Sequence, residues 1–259
     1  MRIFFAGDIV GLTGRRALEV VLPGIKGAYS PDVIIANGEN SAHGMGISGK
    51  IVKSLETLGI DCITLGNHTF SNREFYSHIG EFPSVVRPAN MTPAWPGNDW
   101  CIIEACGMKL GVINLLGQVE SGVLSDNPFF CADRLIEELK SAGCDAIFMD
   151  FHAEATSEKC AMGYYCDGRV SVVVGTHTHV QTADEKILPG GTGYITDAGM
   201  CGAETSVLGM DVNCSLSRLA YKKPAKYEPA GGPGIVCGII ADIDEAGKCT
   251  KIQRICEYE

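Results

Sequence analysis

The chain has 259 residues, 46% hydrophobic and 20% charged, enough to bury a core without disulfide or metal staples and inconsistent with global disorder. A formal net charge of −10 argues against a phosphate-tracking groove for duplex nucleic acid, while a small anionic substrate stays compatible because bound divalent metals reverse the charge locally. The apolar runs are too short to span a bilayer, and Asp8 interrupts the apolar start with no cleavage site after it, so the expectation is a cytoplasmic protein with no signal peptide and no membrane partner.

In chain order, RIFFAGD reads as a buried strand ending in Gly-Asp, and Gly14–Val21 as a helix stopped by Pro23-Gly24. VIIANGEN is a second strand and turn, Lys50–Leu58 a helix with Gly59 as its stop, and CITLGNH a third strand and turn. Asn72–Ile79 is helical and SVVRPAN a short strand; WCIIEAC and KLGVINLLG form a hairpin about Gly107-Met108. Ala132–Ala142 is helical, AIFMDFHAE a strand, Ser157–Tyr164 a helix, and VSVVVGTHTH and GYITDAGM two further strands. GIVCGIIADI and TKIQRICEY close the chain as a hairpin around Asp244–Lys248. Helices alternating with strands, followed by antiparallel hairpins, point to one layered α/β domain over 1–259 with mixed sheets. The stretch Cys201–Pro233 breaks this rhythm and reads as a small lid-like excursion over a site. The 12 cysteines are scattered with no C-x-x-C pair, as expected of reduced thiols.

The unusual polar residues fall at strand ends. Asp8 ends the first strand, Glu39-Asn40 follow the second, Asn67-His68 the third, His152 the FMD strand, and His177 and His179 the VVVG strand. The carboxyl edge is where α/β sheets bind ligands. Taken singly, Asp8 could cap a helix, Glu39-Asn40 could be a turn, and a lone His could lie on the surface. H-T-H is stronger, since residues two apart in an extended chain point the same way. The whole set resembles metal coordination, and oxygen and nitrogen donors without thiolate suit Fe, Mn, Zn or Co. His43, in a Gly-rich loop near Glu39, is a further candidate to line the site; His78, in a helical pattern, is expected on the surface, as are Arg15, Arg16 and Arg169.

GD at Asp8, GEN at Glu39-Asn40, GNH at Asn67-His68, DFHAEATSEK at His152 and VGTHTHVQTAD at His177 and His179 resemble the calcineurin-like metallophosphoesterases. The longer strings, with RPAN at Arg87–Asn90 and ITDAGM at Ile195–Met200, are similar to the bacterial YmdB-type branch of cyclic-nucleotide phosphodiesterases. Two departures from the superfamily pattern fit that branch: Val10 stands where D-x-H would supply a ligand, and Glu39 where a bridging Asp is usual.

The resemblance implies a four-layer α/β/β/α sandwich with two mixed sheets. It implies two divalent or mixed-valence ions, iron or manganese, bridged by Glu39. One would also be held by Asp8, Asn40 and His179, the other by Asn67, His152 and His177, with His68 as proton donor. Two such cations roughly 3.5–4 Å apart can activate a bridging hydroxide and clamp phosphoryl oxygens. The expected reaction opens 2′,3′-cyclic nucleotides, small-molecule phosphodiesters, at the 2′ oxygen to leave 3′-nucleotides. A phosphomonoesterase or nucleotidase using the same centre, or a metal-bound regulatory scaffold, are the alternatives, and assembly into a homo-oligomer is compatible with the sequence.

Overall fold

A computed structural model describes all residues, 1–259. Its elements are β1 (Arg2–Ala6), β2 (Asp8–Ile9), α1 (Gly11–Tyr29), β3 (Val33–Asn37), α2 (Gly49–Leu58), β4 (Cys62–Thr64), α3 (Arg73–His78) and β5 (Val85–Val86). There follow β6 (Trp100–Ala105), β7 (Met108–Leu116), α4 (Pro128–Ser141), β8 (Ala146–His152), α5 (Thr156–Cys166) and β9 (Val172–Thr176). The last are β10 (Lys186–Ile187), β11 (Gly193–Ile195), β12 (Met200–Ala203), α6 (Val212–Leu219), β13 (Gly234–Ile243) and β14 (Cys249–Tyr258).

Alternation along the strands decides the layering. Successive side chains of a strand face opposite sides, and in β1 and β3 both sides are buried. Phe4, Ala6, Ile34 and Ala36 pack with Leu18, Leu22 and Ile25 of α1 and with Val52 and Leu55 of α2. Ile3, Phe5, Val33 and Ile35 pack instead against Leu110, Val112, Phe148, Val172 and Val174 of the second sheet. On that sheet's far side, Leu115, Met149, Phe151 and Val173 meet Leu135, Ile136 and Leu139 of α4 and Met162 of α5. Three apolar cores thus separate four layers, the expected α/β/β/α sandwich. Both sheets are mixed. The first runs β2-β12-β13-β1-β3-β4-β5 with β14 on β13; the second runs β10-β11-β9-β8-β7-β6. β1, β3, β4 and β5 are parallel, as are β7, β8, β9 and β11, while β13 lies antiparallel to β1 and β6 to β7.

Some boundaries differ from expectation. α1 starts earlier and runs through Pro23-Gly24 to Tyr29. A proline costs the helix a backbone hydrogen bond, but Leu22 and Ile25 on either side are buried in the core, and that burial outweighs it. α4 starts at Pro128 rather than Ala132, because Asn127 caps it and proline suits the first helical position. The first strand divides at Gly7, where a Cβ would lie 2.1 Å from the Gly199 carbonyl oxygen.

The stretch 201–233 does not begin as an excursion, since Cys201–Ala203 belong to β12 within the first sheet. The remainder carries α6, unanticipated from sequence, and is tied down by Asp211 N to Glu228 O (2.9 Å), Ala230 N to Gly209 O (2.8 Å) and Thr13 Oγ1 to Ala230 O (2.7 Å). All twelve cysteines are free thiols. No helix is long and apolar enough to cross a membrane.

Candidate metal centre

The parallel strands bring their carboxyl ends to one edge of the sandwich. Asp8 leaves β1 through Gly7, Glu39 and Asn40 follow β3, Asn67 and His68 follow β4, His152 ends β8, and His177 and His179 follow β9. Burial is near complete for Asp8, Glu39, Asn40 and His152.

Two groups of side chains meet at Glu39. In the first, His152 Nε2 lies 2.9 Å from Asn67 Oδ1, 3.0 Å from His177 Nδ1 and 3.0 Å from Glu39 Oε1. In the second, Asn40 Nδ2 lies 3.1 Å from the same Glu39 Oε1 and 3.2 Å from His179 Nε2. Asp8 Oδ2 accepts from the His177 amide (3.0 Å), and Glu39 Oε2 from the His68 amide (3.0 Å). The seven residues expected to bind metal therefore lie together, with His68 beside them.

The two H-T-H histidines are not aligned by strand alternation, as the sequence suggested. β9 ends at Thr176, and His177 and His179 have φ of 99° and 64°, left-handed values that a non-glycine residue adopts only when held there. Asp197 does the holding. Its Oδ2 accepts from the Thr178 amide (3.1 Å) and hydroxyl (2.8 Å), and the buried Lys159 ammonium lies 2.7 Å away.

Each histidine is oriented by an acceptor on its outer nitrogen. Thr176 Oγ1 donates to Asp150 Oδ1 (2.7 Å), so it accepts from His152 Nδ1 (2.9 Å). Glu154 Oε2 faces His177 Nε2 at 3.1 Å, and the Leu208 carbonyl faces His179 Nδ1 at 3.0 Å. A carboxylate and a carbonyl only accept, so the protons belong on those outer nitrogens. His177 Nδ1 and His179 Nε2 are left with lone pairs toward the centre, and His152 presents Nε2 there. Outer acceptors that fix a tautomer in this way are usual around metal-binding histidines.

Charge at the site is concentrated. Burial pushes the Asp8 carboxyl up to about 6, against the pull of His179 and His152. Burial would also raise Glu39, but His152 and His68 hold it down to about 2. Burial would lower His152, yet Glu39, Asp8 and Asp150 carry it up to about 9, while burial and the charge of His152 take His177 down to about 4. The buried carboxylates thus favour positive charge beside them, which a bound cation would supply.

Three features fit a divalent cation. Glu39, His152 and His177 offer ligand atoms within 4.8 Å of one another. Asp8 Oδ1 is buried with no hydrogen-bond partner, an expensive arrangement for a carboxylate oxygen unless a cation faces it. Gly66 packs so closely that a Cβ there would lie 2.3 Å from Glu39 Oε2 and 2.6 Å from His152 Nε2.

Glu39, Asn40, His68, Glu154, His177 and His179 open onto a cavity of about 510 Å³. Other candidates lie outside it. His43 is exposed, although its neighbours Gly44 and Met45 line the cavity. Arg15 Nε donates to the Ser41 carbonyl (3.2 Å), Arg16 and Arg169 pair with Glu259 and Asp133, and His78 pairs with Glu81 on the surface. Sequence reasoning missed Glu154, Asp150, Thr176, Asp197 and Gly66. Asp150 did leave a signal, a carboxylate inside the otherwise apolar strand AIFMDFH.

A family model described as YmdB-like protein matches residues 4–255. A 2′,3′-cyclic-nucleotide 2′-phosphodiesterase of Bacillus subtilis (strain 168) is 48% identical over 256 residues, 98% of this chain and 96% of its own. The crystal structure of a novel phosphatase from Mycoplasma pneumoniae superposes with a TM-score of 0.93 at 33% identity, over 100% of this chain and 93% of that one. The NAD nucleotidase of Haemophilus influenzae shares the fold alone, with a TM-score of 0.64 at 12% identity over 56% of its length. With its sandwich, its strand-end cluster and these relatives in agreement over nearly its whole length, the chain belongs to the YmdB-like family of metallophosphoesterases.

Proposed function

We propose that the chain is a dinuclear phosphodiesterase that opens 2′,3′-cyclic nucleotides to 3′-nucleotides. Asp8, Asn40 and His179 would hold one cation, Asn67, His152 and His177 the other, and Glu39 would bridge them; iron or manganese suits this donor set. The observation that carries the reading is the position of Glu39 Oε1, 3.0 Å from His152 Nε2 in one group and 3.1 Å from the terminal amide of Asn40 in the other; as a ligand that amide would turn its Oδ1, not the Nδ2 that donates to Glu39, toward the cation. The likeness to the Bacillus phosphodiesterase supports the substrate class. Twelve free thiols are consistent with a cytoplasmic setting.

When bound, the cations supply the positive field that draws the phosphodiester and activates water. The chain's own residues do the rest. Asp8 and Glu39 offset only part of the cation charge, so the site attracts an anion in an acidic protein. Glu154, Thr176 and the Leu208 carbonyl keep the histidines in the binding tautomer. His68 lines the cavity, and its Nδ1 lies 3.3 Å from Ser71 Oγ, a hydroxyl that can donate to it. When Ser71 Oγ donates to Nδ1, the neutral imidazole carries its proton on Nε2, the atom from which it would pass to the departing ribose 2′ oxygen. The test is product analysis with metal-replete protein and 2′,3′-cyclic AMP. The reading expects 3′-AMP; release of 2′-AMP, or turnover of monoesters without the diester, contradicts it.

A further inference from the structure

The cavity beside the metal centre has two unlike walls. One carries the polar cluster. The other comes largely from the segment between β12 and β13, with Leu208, Met210, Leu219 and Tyr227 joined by Met45. Phosphoryl chemistry needs no apolar wall, so this one is suited to a different part of the ligand.

Two observations on that wall point to what it takes. Ser215, on α6, is 1% exposed and lines the cavity, yet its Oγ has no hydrogen-bond partner. Buried hydroxyls are ordinarily paired. Tyr227 is 42% exposed, and the Arg218 guanidinium lies over its ring, 4.3 Å from the centroid. Arg218 Nη1 is itself tied to the Ala225 carbonyl at 2.9 Å. The ring is therefore braced on one side while it lines the cavity. A flat, braced aromatic surface beside an unpaired hydroxyl suits a flat heteroaromatic ring with polar edges.

We propose that Tyr227 and Ser215 form a nucleobase subsite, Tyr227 stacking on the base and Ser215 Oγ, which is covered in the free protein, bonding to its edge after a side-chain shift that uncovers it. This inference rests on the cyclic-nucleotide reading for the part of the substrate held at the metals. A hydroxyl both donates and accepts, and every base has a π-face, so the subsite favours nucleotides over base-free sugar phosphates without selecting one base sharply.

The test is binding rather than turnover, so that it stands apart from that reading. Full-length, metal-loaded protein is dialysed to equilibrium against adenosine 3′-monophosphate and against methyl ribofuranoside 3-phosphate, which lacks the base. The readout is the ratio of the two affinities. Stacking on an aromatic ring is worth about 5- to 150-fold in affinity, so Tyr227→Ala lowers the ratio by that much and Tyr227→Phe restores it. Ser215→Ala lowers it about 2- to 10-fold, the value of one hydrogen bond. Tyr221→Ala, outside the cavity, leaves it unchanged. A wild-type ratio near one, or an unchanged ratio in Tyr227→Ala or Ser215→Ala, overturns the subsite. If the ratio depends on both residues while 2′,3′-cyclic AMP is not hydrolysed, the subsite stands and the proposed reaction falls.

Discussion

Gly66→Ala is the smallest perturbation that reaches the heart of the site, because one methyl group would press on two proposed ligands together. The new Cβ would lie 2.3 Å from Glu39 Oε2 and 2.6 Å from His152 Nε2, where real Cβ atoms essentially never come closer than 3.0 Å. Glu39 Oε2 must therefore retreat by at least 0.7 Å, and by 1.1 Å to reach an ordinary contact of 3.4 Å. It has little freedom to do so, since it accepts from the His68 amide at 3.0 Å and Glu39 is fully buried. A shift near 1 Å in the proposed bridging ligand is of the size that costs roughly 100-fold in rate. The overpacking should lower stability by about 1–3 kcal/mol. We expect kcat/KM on a cyclic diester to fall at least ~100-fold and bound metal to fall with it. The assays are steady-state hydrolysis, metal analysis and thermal unfolding. Gly80→Ala is the control: nothing lies within 4 Å of its added Cβ, so activity and metal content should be unchanged. Wild-type metal content and turnover in Gly66→Ala would refute the close approach of Gly66 to the Glu39 carboxylate.

His68→Ala should slow hydrolysis of 2′,3′-cyclic nucleotides by roughly 10²–10⁴-fold while sparing bis-nitrophenyl phosphate, whose leaving group needs no proton; equal losses on the two substrates rule out the donor role. Asn40→Ala should weaken one ion more than the other, since its amide is proposed to serve the Asp8 side of the centre, and a metal titration with both sites unchanged removes Asn40 from the proposed ligand set. Glu154→Ala should lower metal affinity about 10- to 100-fold by freeing the His177 tautomer; Glu154→Gln, which keeps an acceptor oxygen, should recover part of that loss, and wild-type affinity in Glu154→Ala shows that His177 needs no such partner.

The fold was legible wherever burial imposed a period. β1, β3, β8 and β9 stand out because each is buried on both faces and so reads as a largely apolar run, interrupted in β8 by Asp150. The helix through Pro23 was not legible, because the proline rule is local and the burial that overrides it comes from the sheet beneath. α6 was missed although Val212, Leu216 and Leu219 fall at helical spacing behind the Asp211 cap; it is only eight residues long and its one buried residue is the polar Ser215, so it lacks the core-facing stripe that marks the longer helices. The proposed ligands were visible because polar residues ending apolar runs are conspicuous. Their supports were not. Among them Asp150 alone interrupts an apolar strand; Thr176 ends one, Glu154 looks like any surface acid, and the group that orients His179 is a backbone carbonyl, that of Leu208, which no side-chain pattern can mark. Ser215 and Tyr227 belong to the stretch with the least regular sequence, and only the folded chain puts them in one cavity with the proposed metal ligands.

The most direct test of the account is the number and place of the ions in wild-type and Glu39→Ala protein, both purified without oxygen, from metal analysis combined with anomalous scattering. The account predicts two ions in the wild type, one on each side of the Glu39 carboxylate, and loss of both in Glu39→Ala with the fold retained. A single ion in the wild type, or a Glu39→Ala protein that keeps two ions and full phosphodiesterase activity, contradicts it.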